Sequence, residues 1–169
     1  VSLDLDTMNP DGGTVLASGA DFYASAALRA DGMLAWVEWQ LPAMPWDATR
    51  LMVAPIDATA EPLLVAGGPE ESAVFPSWAP DGSLVYLSDA RGHWNFHRWD
   101  GEGTRRLHRH AWDFCEPMWV PDPAPYTILA DGRIGCSWLE DGVARLGLLV
   151  PGGPAGDWLL EPIETGAVS

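Results

Sequence analysis

An Asp-Gly pair recurs at a constant spacing of 50 residues along the chain, at positions 31, 81 and 131. Each pair has an apolar residue three positions before the Asp and another three positions after it: Leu28 and Leu34, Trp78 and Leu84, Ile128 and Ile134. Glycine adopts the positive φ angles of a tight turn without steric cost, so Asp-Gly between two apolar segments predicts a β-hairpin. A hairpin that recurs at about 40 to 50 residues is typical of a β-propeller.

The composition agrees with a fold of many short strands. The 169 residues include 18 Gly and 15 Pro, which leave no long helical pattern. Hydrophobic residues make up 47% of the chain, enough for a core, and the ten Trp are expected to fill the space between packed sheets. The fold class predicted is therefore all-β.

Alternating apolar and polar residues divide the chain into blades. We predict a partial β-propeller with about three four-stranded antiparallel blades, at 22–66, 72–110 and 116–163. The segment 1–18 is predicted to form a two-stranded outer hairpin of an incomplete blade. The first strand of the third blade has two alternatives, 118–120 and 126–129, and the 50-residue register favours the second. The residues predicted to be buried between blades are Leu34, Trp36, Trp78, Leu84, Tyr86 and Ile134.

Three and a half blades are too few to close a ring of the typical four to eight. The chain is therefore expected to be a fragment of a longer protein, and its end blades are expected to expose apolar faces that self-associate. The net charge of −15 argues against nucleic-acid binding, which requires a basic surface. The start of the sequence has no signal-peptide pattern and no apolar run approaches about 18 residues, so we expect a cytoplasmic location and no membrane contact.

Strand direction places the unusual loops on one face of the predicted disc. The segments 41–49, 67–72, 89–94 and 110–117 form this loop face, and the Asp-Gly hairpins form the opposite turn face. Long loops on a rigid scaffold commonly carry function. The substrate-facing candidates are therefore Trp46, Asp47, Glu70, Glu71, His93 and Trp94. Glu70 and Glu71 are either receptors for a ligand ammonium group or part of a solvated acidic turn, and Trp46 packs on a neighbouring blade or on a second domain.

The chain has no pattern of its own for catalysis. It lacks the G-x-S-x-G elbow of α/β-hydrolases and the glycine-rich phosphate loops, so no catalytic residue is assigned. His108 and His110 would share one face of a strand and could in principle share a metal, but solvent-facing histidines are the simpler interpretation. No metal or other cofactor is expected.

Three segments resemble a known family: LAWVEWQLPAMPWDATRLMVAPID (34–57), VAGGPEESAVFPSWAPDGSLVYLSDARGHWNFHRW (65–99) and ILADGRIGCSW (128–138). They are similar to the β-propeller of prolyl oligopeptidase family serine peptidases, in the bacterial acylaminoacyl-peptidase or dipeptidyl-aminopeptidase-like branch. The resemblance implies a propeller that limits access of short peptides to a separate α/β-hydrolase domain, which this chain lacks. The alternative is a binding module with PDG repeats, like Tol-system propellers, without peptidase activity.

Overall fold

The computed structural model describes residues 1–6, 8–119, 125–153 and 156–164 of the chain. Its strands form three four-stranded antiparallel sheets, each with its strands side by side in chain order. This arrangement confirms the predicted all-β fold of partial propeller blades. Among the described residues, the structure has no helix with the length and apolar character needed to cross a membrane.

The three sheets are called blade one, blade two and blade three. Blade one contains β1 (Phe22–Leu28), β2 (Met33–Trp39), β3 (Arg50–Pro55) and β4 (Leu63–Gly67). Blade two contains β5 (Ala73–Trp78), β6 (Leu84–Ser88), β7 (Asn95–Trp99) and β8 (Thr104–Arg106). Blade three contains β9 (Tyr126–Ile128), β10 (Ile134–Glu140), β11 (Val143–Pro151) and β12 (Trp158–Ile163). Of the two alternatives for the first strand of blade three, the structure has the one at 126.

Each Asp-Gly pair makes the turn between the first two strands of its blade. The glycines at 32, 82 and 132 have φ angles of 92°, 84° and 84°, in the left-handed region that glycine tolerates. Each Asp side chain accepts a hydrogen bond from the backbone N–H two residues later, at 3.3, 3.1 and 3.1 Å. The repeat seen in the sequence is thus a repeat of one turn geometry.

The first strands of blades one and two carry a matching irregularity. Their pairing with the second strand shifts between Ala24 and Ala27 in β1 and between Val74 and Ser77 in β5. Within these bulges Ser25 and Phe75 have φ angles of 52° and 54°. The two bulges lie 50 residues apart, so the repeat extends beyond the hairpin turn to the strand that precedes it.

Most of the core fills the two spaces between adjacent blades. One cluster joins blades two and three around Phe96, Phe114 and Ile134, and another joins blades one and two around Leu51 and Tyr86. Of the residues predicted to be buried between blades, Leu84, Tyr86 and Ile134 are buried there and Trp78 is partly buried. Trp36 is buried and Leu34 partly buried in a separate third cluster with Met52, Ala54 and Ala17, which contains no described residue of another blade.

Trp78 keeps one ring face toward a polar partner. Its indole N–H donates to Ala27 O at 3.0 Å, and the Arg29 guanidinium lies over its ring at 4.4 Å from the centroid. Trp78 therefore makes a cation–π contact at the turn face. It is only partly buried, although the sequence pattern places it between blades.

The N-terminal segment differs from its prediction. Instead of a two-stranded hairpin over 1–18, the described residues of this segment form a single antiparallel bridge, between Ser2 and Thr14. Val1, Leu5 and Met8 are strongly exposed. A two-stranded ribbon that packs no apolar face on a neighbour is marginal, so alternation alone was insufficient to produce a ladder here.

Candidate functional site

The loop face is held together by a small polar network around Ser72. The buried Ser72 hydroxyl donates to Pro45 O at 2.7 Å and accepts a bond from the Trp94 indole N–H at 3.2 Å. Its backbone N–H donates to Asp89 Oδ1 at 2.7 Å. One serine therefore connects the loops 41–49, 67–72 and 89–94.

The two adjacent glutamates have different environments. Glu71 Oε1 accepts a bond from the Ser88 hydroxyl at 2.6 Å, and its backbone O accepts one from Thr49 N at 3.0 Å. Glu70 is exposed and has no hydrogen bond or ion pair to any described residue. Glu71 therefore helps to hold the loop, while the carboxylate of Glu70 is available to a ligand.

Trp46 and Asp47 also differ in their contacts, since Asp47 bonds within its own loop and Trp46 contacts another aromatic ring. Asp47 Oδ2 accepts a bond from Met44 N at 3.0 Å, which closes a turn within its own loop. The Trp46 ring lies 4.1 Å from the ring of Trp119, centroid to centroid. Trp119 is 70% exposed, so this aromatic pair forms part of the surface.

His93 and Trp94 are anchored by Asp113 in the loop between blades two and three. Asp113 Oδ1 accepts a bond from Trp94 N at 2.7 Å and lies 3.6 Å from His93 Nδ1. Phe114 N donates in turn to Trp94 O at 3.0 Å. These contacts bring the segments 89–94 and 110–117 together on the loop face, where the sequence placed them.

A groove of about 610 Å³ opens between blades two and three beside these loops. Its aromatic and apolar lining includes Phe75, Trp94, Trp112, Met118, Trp119 and Trp138. Cys115 also lines the groove, and burial, together with the nearby carboxylates of Asp113, Asp89 and Glu116, raises the pKa of its thiol above the usual range. This thiol is therefore unsuited to act as a nucleophile at neutral pH.

Comparison with known proteins identifies solved structures that are similar to this chain. No protein-family profile matches the chain, and no curated protein does. Among solved structures, a puromycin-hydrolyzing peptidase of Mycobacterium tuberculosis is 37% identical over 89% of this chain, with a TM-score of 0.77. A puromycin hydrolase is 33% identical over 84% of the chain, with a TM-score of 0.71.

The chain belongs to the β-propeller part of the prolyl oligopeptidase family. It spans 23% of the length of each of these two similar chains. TolB from Acinetobacter baumannii, 16% identical with a TM-score of 0.52, is similar in fold alone.

The histidines of this prolyl oligopeptidase family propeller do not form a metal centre. His108 and His110 have ring centroids 5.9 Å apart, and His108 Nδ1 donates to Trp158 O at 2.8 Å. Within the described part of the chain, no group of three or more His, Cys, Asp or Glu side chains is arranged to hold a metal ion.

Sequence reasoning missed two residues that shape the loop face of this family member. Trp119 was considered only as part of an alternative strand, although a Trp in a proline-rich loop is a signal for a surface aromatic contact. Ser72 carried no signal, because its importance comes from partners at Pro45, Asp89 and Trp94 that the fold brings together.

Proposed function

We propose that the chain is part of the non-catalytic propeller domain of a cytoplasmic serine peptidase, where it gates the access of short peptides to a separate α/β-hydrolase domain. The observation that carries this proposal is the 37% identity over 89% of the chain to a puromycin-hydrolyzing peptidase. The hydrolase domain would supply the serine nucleophile, its base and the oxyanion hole, and the propeller would supply substrate selection.

The loop face is the surface that faces the hydrolase domain in this proposal. It carries the irregular loops, the partly buried Trp46 in contact with the exposed Trp119, and the unpaired carboxylate of Glu70. A carboxylate can accept charge-assisted hydrogen bonds from a substrate amino terminus, and a water-depleted space between two domains strengthens such bonds. Glu70 is therefore assigned to the recognition of a free amino terminus, and His93 and Trp94 are assigned to the same substrate-facing surface.

This assignment distinguishes the two branches that the sequence resembles. An aminopeptidase-like enzyme needs a group that favours a charged amino terminus, whereas an acylaminoacyl-peptidase accepts a blocked one. Because Glu71 is bonded to Ser88, the selective effect is expected from Glu70.

The test uses the full-length protein and two substrates that differ only in N-terminal acetylation. Glu70→Gln is expected to lower kcat/KM for the free peptide about tenfold or more, the value of one charge-assisted hydrogen bond, with little change for the acetylated peptide. Glu102→Gln is the matched control, since Glu102 is an exposed glutamate in the β7–β8 turn, away from the loop face. An equal change for both substrates would reject the role of Glu70 but leave the peptidase assignment intact.

The peptidase assignment has its own test in the same protein. We expect peptide hydrolysis that a serine-reactive phosphonate abolishes. A full-length protein that neither hydrolyses peptides nor reacts with the phosphonate would instead be a binding module, the alternative with PDG repeats.

A further inference from the structure

The arginines of this acidic chain are unevenly paired. Five of the nine arginines form ion pairs with carboxylates: Arg29, Arg50, Arg98, Arg133 and Arg145. The other four, Arg91, Arg105, Arg106 and Arg109, form none with any described residue. In a chain with a net charge of −15, unpaired guanidinium groups close together require an explanation.

Three of these four guanidinium groups converge on one cavity. Arg91 from the β6–β7 loop, Arg106 from β8 and Arg109 from the segment after β8 line a pocket of about 590 Å³. Arg105 points away from it, since neighbouring residues of a strand project to opposite faces. The pocket therefore concentrates positive charge that the sequence spreads over 19 positions, from 91 to 109.

The floor of the pocket is polar and well ordered. Asn95 is buried and bonded at both ends of its amide, with Oδ1 accepting from His110 N at 2.6 Å and Nδ2 donating to His110 O at 3.3 Å. His97, directly opposite Arg106 across the β7–β8 pairing, is 9% exposed. These contacts fix the strand from which the pocket is built.

His97 presents an uncommitted nitrogen to this positively charged pocket. Its Nδ1 donates to Asn95 O at 3.0 Å, and its Nε2 has no partner among the described residues. The charged groups facing the ring are Arg91 and Arg106, with Glu71 in the adjoining space and Tyr86 stacked at 5.6 Å between centroids. In the neutral ring Nε2 is an acceptor, so the donors available to a bound anion are the three guanidinium groups, and Nε2 becomes a further donor only when the ring is protonated.

The three guanidinium groups outnumber the carboxylates nearby. Glu71 lines an adjoining cavity with Arg91 and Arg106 and accepts a hydrogen bond from Ser88, and Asp113 accepts one from Trp94 N and lies near His93. No carboxylate lies among the residues that line the pocket. Three guanidinium groups around one cavity repel one another, and an anion that bridges them removes this cost.

We propose that the pocket lined by Arg91, Arg106, Arg109 and His97 is a binding site for a phosphate-type dianion, either free phosphate or a phosphate monoester. A monocarboxylate would neutralise only one of the three guanidinium groups, whereas a dianion with three or four oxygens can accept forked bonds from several of them. The site lies on blade two and is independent of the peptidase assignment.

Calorimetric titration of the full-length protein tests this site, with inorganic phosphate, adenosine 5′-monophosphate and acetate as probes at low ionic strength. We expect phosphate to bind at least tenfold more tightly than acetate. Arg106→Gln and Arg109→Gln should each weaken phosphate binding about tenfold or more. Arg105→Gln, which removes the same charge from the same strand, should change the affinity less than twofold. Because Arg106 and Arg109 are exposed, neither change should unfold the protein.

The outcomes of this experiment distinguish three cases: a site for a phosphate monoester, a site for free phosphate, and no specific anion site. Tighter binding of the nucleotide than of phosphate assigns the site to a phosphate monoester, and equal or weaker binding of the nucleotide assigns it to free phosphate. Absence of saturable phosphate binding overturns the proposal. So does an equal loss in Arg105→Gln and Arg106→Gln, which would mean that the anion responds only to total charge.

Discussion

At the scale of single residues, function on the loop face depends on which polar groups are already engaged. Glu70 and Glu71 are equivalent in the sequence, but the Glu71 carboxylate is bonded to Ser88 and partly buried, whereas that of Glu70 is exposed. Asp47 and Trp46 also differ in this respect: Asp47 accepts a hydrogen bond within its own loop, and the Trp46 ring contacts Trp119. Such distinctions depend on contacts between distant segments, so residue type and spacing cannot provide them.

His97 gives a prediction about pH at this scale. Burial is the main cause that lowers the pKa of His97 below 6.5, and Arg106 and Arg91 act in the same direction, against the Asn95 carbonyl and Glu71. A histidine with a lowered pKa in the folded state stabilises the fold fully above pH 6.5, and this contribution is lost as the pH falls through the folded pKa. We therefore expect His97→Gln to reduce the loss of thermal stability between pH 7.5 and pH 5.

The reference for this experiment is the unmodified protein, in which His110, whose pKa burial also lowers, adds an acid sensitivity that should remain in His97→Gln. Identical pH profiles for His97→Gln and the unmodified protein would show that the His97 ring does not titrate in a buried environment.

At the scale of elements, the 50-residue repeat fixes the hairpins and the strands that flank them. The Asp-Gly turns could be predicted because the turn needs a positive φ angle at glycine, a local requirement that the sequence displays directly. The segment 1–18 could not be predicted by alternation, because a ladder also needs an apolar face to pack on, and the described residues there form only the Ser2–Thr14 bridge. The basic pocket was missed for a related reason, since Arg91 and Arg106 become neighbours only through the pairing of β7 and β8.

The bulge in β1 gives a prediction at this scale. Ser25 has a φ angle of 52°, where a side chain costs about 1 kcal/mol or more and a β-branched one costs more. Ser25→Gly should therefore raise the unfolding free energy relative to Ser25→Val by about 1 to 2 kcal/mol. At the adjacent exposed Ala26, which shares the bulge but lacks a positive φ angle, the order should reverse, because glycine loses more backbone freedom on folding than valine.

Urea unfolding of the four variants measures both differences. The same order of Gly and Val at positions 25 and 26 would mean that the bulge conformation relaxes when the side chain changes. The reversed order would indicate that the bulge is held in place by its surroundings, as its recurrence at Phe75 suggests.

At the scale of the whole molecule, the sheet of blade three buries one face against blade two and exposes apolar side chains on the other. Between blades two and three the core is closed by buried aromatic residues, with the Tyr126 hydroxyl 2.6 Å from Phe75 O and 2.9 Å from Val85 O, so that its one proton is shared between two carbonyl acceptors. On the opposite face of blade three, the described residues leave Leu139, Leu146 and Ile163 each nearly half exposed. An apolar sheet face of this kind resembles the faces that pack between adjacent blades.

We predict that the 169-residue chain on its own self-associates through this face of blade three. Leu146 and Ile163 are directly opposite each other in the β11–β12 pairing, so charges at both positions should block the contact without entering the core. Sedimentation should show oligomers for the unmodified chain and a monomer for Leu146→Glu with Ile163→Glu. The control, Val1→Glu with Val15→Glu, places the same charges on exposed apolar residues of the N-terminal segment and should leave the oligomers intact. A monomeric unmodified chain would contradict the prediction, and loss of the oligomers in both double variants would show that total charge, rather than this face, controls association.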